Sequence, residues 1–499
     1  MIWRNLVCLL ALAAAACSPD APEGAKLSVV VIGDSEQPEG LAQRLVAEAV
    51  QPGLVARDEA GQTVAGLASS WRFVDDGRSL ILRLRPAQWS NGETLVARDV
   101  VAAFRRAGSR RDPVLVMAGI VGSEAVTAKR APASKLGVSA PIARVVELRL
   151  ESPSPLLLGW LAEPALGLVS DKADVSLARY RVGGTAERRV LQRKSMAASP
   201  AARPAQISVA TSPDLRAAIA GFMRGEANLV FGDGLAGLGE VRASVRPEML
   251  QVDPLWGIYG YVANGLRGPV ADPAIRRALA MAVDRGRLAA AMGIGAIVAA
   301  DGLLPPLLAG GAVLEEGDWR RLGAAARVAE ARRLLAGAGW TLDQPLRLVL
   351  LLPPGREHRS IAERVADDWA QVGVLLAVTE VSAVERDKLL ARGDFDLAVT
   401  EASVPVPDSA ALLMRWRCGA GAYCNPEADT MLAAARRAPA AGRAPMLAAV
   451  EARMMTAPPM IPLITPVQWT LVGRNVDGWV PNAGASHPLA RLTVGVRRR

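Results

Sequence analysis

A chain of 499 residues exceeds what one hydrophobic core organises and predicts two or three domains. With 51% hydrophobic and 21% charged residues it is globular, not a disordered polymer. The formal charge of +9 comes mainly from arginines spread along the sequence, aromatics make up only 4%, and the sole basic cluster is Arg497-Arg498-Arg499, so no nucleic-acid partner is expected.

The first segment, MIWRNLVCLLALAAAACSPD, sets one Arg4 before an apolar run from Leu6 to Ala16. That run is too short to span a bilayer and fits the core of a secretory signal over residues 1–16. Ala14-Ala15-Ala16-Cys17 resembles a bacterial lipobox, with Ala14 where leucine is usual. The resemblance implies lipidation of Cys17, a tether over 17–26 and attachment to the membrane; an ordinary cleaved signal is the alternative reading. No later segment reaches the roughly 18 uninterrupted apolar residues of a membrane helix.

KLSVVVIG predicts a buried first strand. In WRFVDDGRSLILRLRPAQWSNGE (71–93), Asp75-Asp76-Gly77 turns a hairpin whose Leu80, Leu82 and Leu84 share one face. A helix follows over Asp99–Arg106, burying Val100, Val101 and Phe104. Residues 108–140 read as loops, and VVELRL as a strand. From about 205 a strand, a helix capped by Ser212 or Asp214 and a second strand form a βαβ unit. LQVDPLWGIYGYVAN reads as one strand-like stretch, followed by helices capped by Asp272 and Asp284. Strands and helices then alternate to residue 401, including a helix expected to be capped by Ser360, which predicts a mostly parallel α/β lobe. Two more helices (427–437, 443–455) precede the strand MIPLITP.

Cys418 and Cys424, in CGAGAYC, are expected to form a disulfide rather than half a metal site. With only His358 and His487 in the chain, no His-ligated metal is expected, and no cofactor. One enzymatic alternative is weighed. Gly33-Asp34-Ser35 ends the first strand in the manner of GDSL esterases, whose serine needs a histidine oriented by an aspartate three residues before it. Gly355 and Gly484 occupy those positions, so an enzyme is not expected.

Several ordered segments resemble the extracytoplasmic solute-binding proteins of ABC transporters, family 5, the oligopeptide/dipeptide/nickel-binding class. They are LASSWRFVDDGRSLILRLRPAQWSNGETLVARDVVAAF (67–104), DPAIRRALAMAVDRGRL (272–288), ARRLLAGAGW (331–340), RVADDWAQVGVLLAV (364–378), GDFDLAV (393–399) and PPMIPLI (458–464). Val96 stands where the family usually caps its helix with Ser or Thr. The resemblance implies an α/β, two-lobe periplasmic-binding-protein-like fold (type II, large peptide-binder class), with an inserted subdomain and two crossing hinge strands. One lobe would comprise 27–264 plus 470–499, with the insert at about 45–150, and the second 268–468. The hinges would lie near Ile258–Asn264 and Gln468–Val472.

The implied function is capture of a peptide or peptide-like solute between the lobes by an extracytoplasmic monomer, and delivery to an ABC permease and its ATPase. A non-peptide solute or an orphan sensor role is the second reading. The family's amine-anchoring aspartate falls at Val404, leaving Glu401 and Asp408 as the nearby carboxylates. Arg356 is the candidate for a ligand carboxylate, because guanidinium pairs with carboxylate bidentately. Arg415 and Trp416 fall where the family lines its cleft.

Overall fold

The structure, a computed structural model, describes residues 25–33, 40–170, 172, 175–194, 203–309, 318–421 and 423–495. Cys17, Asp34 and Ser35 lie outside the described residues, and with them the lipobox and esterase readings.

Leu27, Val29 and Val31 are buried at every second position of the first strand, Lys26–Ile32, as a strand inside a sheet requires. It lies at the centre of a seven-stranded sheet in the order 250–254, 467–472, 229–231, 26–32, 206–212, 188–193, 180–184. The expected βαβ unit flanks it: strands 206–212 and 229–231 both run parallel to it. The intervening helix, Leu215–Arg224, is capped by Asp214, which accepts the Ala217 N–H at 3.0 Å.

A five-stranded sheet forms the second lobe, in the order 374–380, 346–352, 397–403, 257–263, 460–464. Its first three strands are mutually parallel and 257–263 is antiparallel to both its neighbours. Helix Arg356–Ala370 lays Ile361, Val365 and Trp369 into the core, and the Trp369 indole donates to the Leu279 carbonyl at 3.0 Å. The N-cap of this helix is Gly355, five residues before the Ser360 expected in that role, directly after Pro353-Pro354.

The crossings between sheets differ from the sequence expectation. Residues 250–254 pair with 467–472 in the first sheet, whereas 257–263 pair with 460–464 in the second. The chain therefore passes between sheets at Leu255-Trp256 and returns at Thr465-Pro466, not at 258–264 and 468–472. The Leu255 N–H donates to the Pro466 carbonyl at 2.9 Å, so the two links run side by side.

An insertion interrupts the first sheet between strands 26–32 and 180–184. Its antiparallel sheet, 68–74, 79–84, 145–149, 138–142, buries Leu80, Leu82 and Leu84 completely. Asp75 and Asp76 take left-handed φ of 53° and 52° to turn the hairpin. Helix Ala97–Ser109 packs on strands 138–142 and 145–149. Its Asp99 carboxylate accepts the Val96 N–H at 3.0 Å and the Trp89 indole N–H at 3.2 Å. That pair of bonds ties Trp89 to the helix start and holds it although Val96 has no capping side chain. Residues 108–140, read from sequence as loops, contain short helices Pro113–Met117 and Ser123–Thr127 and the strand Val138–Ile142. Elements of five residues are too short for hydrophobic periodicity to register.

Candidate binding cleft

In open α/β sheets ligands lie outside the carboxyl ends of the parallel strands. Here both sheets present an acid at that place. Strand Leu229–Phe231 ends in Gly232-Asp233-Gly234. A Cβ on Gly232 would fall 1.9 Å from the Trp469 ring, so only glycine lets this indole cross the chain and donate to the Ala236 carbonyl at 3.0 Å. The fixed turn delivers Asp233 to the cleft. On the second lobe Glu401 sits near the end of strand Leu397–Ser403, directly opposite Tyr259. A Cβ on Gly234 would lie 3.2 Å from Glu401 Oε2, which measures how closely the lobes approach at this point.

Asp233 and Glu401 are both reached by solvent, yet protein walls surround them, and neither carboxylate makes a hydrogen bond or ion pair among the described residues. Enclosure raises the Asp233 pKa, opposed by Arg386. It pushes Glu401 up to about 7, with the Asp233 charge adding to the rise. The pair is thus an acidic recess in which Glu401 is only partly ionised at neutral pH.

Beneath it, the Tyr259 hydroxyl and His358 Nδ1 are hydrogen-bonded at 2.8 Å and their rings stack. Burial lowers the His358 pKa to about 4, against a smaller opposing effect of Glu357, so the imidazole is neutral. Next along the helix, Glu357 reaches the first lobe, accepting the Gly237 and Gly239 N–H groups at 3.1 and 2.8 Å.

The other candidates are dispersed. Arg356 is exposed and lines a crevice of about 720 Å³ between helix Leu238–Ser244 and the second lobe's helices Arg285–Met292 and Arg356–Ala370. Asp408 is fully engaged by its own chain. Its Oδ1 caps helix Ser409–Leu413, accepting the Ala410 and Ala411 N–H at 3.0 and 3.2 Å, and its Oδ2 accepts the Trp160 indole N–H at 3.0 Å. It therefore offers no free oxygen pair to a ligand ammonium. Arg415 is exposed without a partner among the described residues, while protein around it lowers its pKa. Trp416 packs half-buried against the core. Val404, the residue that the sequence resemblance sets nearest the family's amine anchor, is buried. Cys418 and Cys424 are disulfide-bonded. Asp233 escaped sequence reasoning; the Gly-Asp-Gly at a strand end was its signal.

The lobes touch on both flanks of this recess. Besides the Glu357 contacts, Arg242 Nη1 donates to the Met292 carbonyl at 3.2 Å. On the other flank Arg57 Nη2 donates to the Pro405 carbonyl at 3.0 Å, alongside the Trp160–Asp408 bond.

Two α/β lobes meeting over a recess are the architecture of the periplasmic-binding-protein class. The model for bacterial extracellular solute-binding proteins, family 5 (Middle) matches residues 62–423, and the chain belongs to that family, whose members capture peptides and other solutes for ABC importers. Among its relatives are the periplasmic oligopeptide-binding protein OppA of Salmonella typhimurium, 26% identical over 404 residues (74% of each chain), and the probable deoxycholate-binding periplasmic protein YgiS of Escherichia coli, 28% identical over 405 residues (74% of this chain, 75% of YgiS). The fold superimposes on the Escherichia coli murein tripeptide-binding protein MppA with a TM-score of 0.79 at 22% identity, covering 95% of this chain and 99% of that one. Against the unliganded open form of MppA the TM-score is 0.67, at 22% identity and 95% and 98% coverage. These relatives are binding proteins, not enzymes. No described helix is long and apolar enough to cross a membrane.

Proposed function

We propose that this chain is the capture subunit of an ABC importer, held to the membrane through a lipidated Cys17, and that its solute is a peptide or peptide-like molecule carrying a cation. The observation that carries this reading is the pair Asp233 and Glu401, one from each lobe, facing each other without a partner cation. A solute ammonium between them would be bonded by both lobes at once, so it would favour the closed state by differential contact. The resemblance sets the family's amine-anchoring aspartate nearest to Val404, which is buried and apolar, and Asp408 is engaged elsewhere, so the acidic recess is the anchor this reading uses. The same acidity disfavours an anionic steroid of the kind named for YgiS.

The test is a thermal-shift screen of the chain from residue 18 onward against peptides of two to six residues, their N-acetylated forms, amino acids, opines, sugars and deoxycholate. A true solute at a hundredfold its Kd adds about 2.7 kcal/mol. Free-amine peptides should raise the melt, N-acetylated ones should not, and Glu401→Gln should remove the difference. Equal shifts from acetylated and free peptides, or a response to deoxycholate alone, would refute the cationic anchor.

A further inference from the structure

The insertion touches the second lobe along a continuous seam, although the chain joins the lobes only at Leu255-Trp256 and Thr465-Pro466. At one end lies Arg57, buried and ion-paired with the buried Glu163, which donates to the Pro405 carbonyl at 3.0 Å. In the middle, helix Leu157–Leu161 meets the segment leading into helix Ser409–Leu413. There a Cβ on Gly159 would lie 3.0 Å from Val406 Cγ1, and the buried Trp160 donates to Asp408 Oδ2 at 3.0 Å. At the far end Ser152 Oγ donates to the Arg436 carbonyl at 2.8 Å and Arg443 Nη2 to the Pro153 carbonyl at 2.7 Å. Arg436 also pairs with Glu124 at 2.7 Å and donates to the Val116 carbonyl at 3.0 Å.

These contacts involve the chain's own polar groups and need no solute. The insertion is rooted in the first sheet, so it travels with the first lobe. Any rotation about the two links that opens the cleft must pull the seam apart. Separation would strip Asp408 Oδ2 and the Trp160 indole of each other, and charge-assisted bonds are the stronger kind.

We propose that the insertion is a third jaw of this protein: Trp160 and Asp408 are positioning residues whose bond holds the lobes closed before any solute arrives. The division of labour between the two carboxylate oxygens makes this separable from folding. Oδ1 caps the helix and Oδ2 alone crosses the seam. In Asp408→Asn the amide oxygen can keep the cap, at which Asn serves as well as Asp. The amide nitrogen then faces the indole N–H, donor against donor.

The experiment is small-angle X-ray scattering on the solute-free chain from residue 18 onward, fitted as a mixture of open and closed forms, with hydrogen exchange across residues 157–161 and 405–413. Wild type should scatter mainly as the closed form. Asp408→Asn should shift the closed-to-open ratio about tenfold toward open (about 1.4 kcal/mol) and speed exchange on both sides of the seam, with the melting temperature little changed. Ser152→Ala, a change at the seam's far end that spares the cap, should shift the ratio in the same direction by less. If wild type and Asp408→Asn give the same distribution, open or closed, the jaw does not act as proposed. A variant that loses closure only together with a large fall in melting temperature would mark Asp408 as a folding residue and also refute the proposal.

Discussion

His358 gives this protein a defined sensitivity to acid. The imidazole is buried and its Nδ1 is occupied by the Tyr259 hydroxyl, so its charged form is disfavoured in the folded state and its pKa falls from 6.5 to about 4. The unfolded chain binds this proton more readily, so stability is complete above pH 6.5 and is lost as pH falls through 6.5 toward 4. From those two values the loss between pH 7 and pH 5 is about 2 kcal/mol, and it reaches a limit of about 3 kcal/mol below pH 4. In His358→Asn the amide oxygen can still accept from Tyr259, but nothing titrates. Urea unfolding followed by tryptophan fluorescence, at pH 7 and pH 5, measures the gap between wild type and variant. Glu401, whose raised pKa makes acidification stabilising in the same window, is present in both and cancels. The gap should narrow by about 2 kcal/mol on going to pH 5. An unchanged gap would mean that His358 does not carry the buried neutral state derived for it.

Solute affinity should fall as pH drops below 7, approaching tenfold per unit, because a bound ammonium requires Glu401 ionised; isothermal titration at pH 7.5, 6.5 and 5.5 tests this, and Glu401→Gln should flatten the profile. Gly159→Ala should cost about 1–3 kcal/mol, since the new methyl would meet Val406 Cγ1 at 3.0 Å, and Val406→Ala should recover part of the loss in the double variant. Reducing Cys418–Cys424 should lower stability by about 2 kcal/mol, the value for so short a loop, and leave the scattering curve unchanged because the clip lies within one lobe.

The sequence was most readable where local chemistry decides the outcome. Asp214, Asp272 and Asp284 cap the helices they precede, and Leu80, Leu82 and Leu84 face the core as alternation requires. The crossing differs because LQVDPLWGIYGYVAN reads as one strand-like stretch although Asp253-Pro254 and Gly257 interrupt it, and side-chain alternation does not encode which sheet a strand joins. Asp408 was read by its place in a family pattern, whereas its own context, an aspartate before Ser409-Ala410-Ala411-Leu412, is a helix-start signal that the structure honours. Glu401 was named as a candidate, but its partner Asp233 lies 168 positions earlier, and only the docking of two lobes brings them together. Pairings of that range depend on tertiary arrangement and leave no local trace.

The bond between the Leu255 N–H and the Pro466 carbonyl ties the two interlobe connections into one ribbon, continuous with the ladders on either side. At one of its corners the Thr465 side chain is held by the Val298 N–H at 2.8 Å, and Pro466 has a ring-fixed φ. Such a ribbon bends across its flat face far more readily than it shears or unwinds. The two halves of the molecule are thereby joined by a link whose geometry favours a swing over a shear or twist, the motion that would keep Glu401 in line with Asp233.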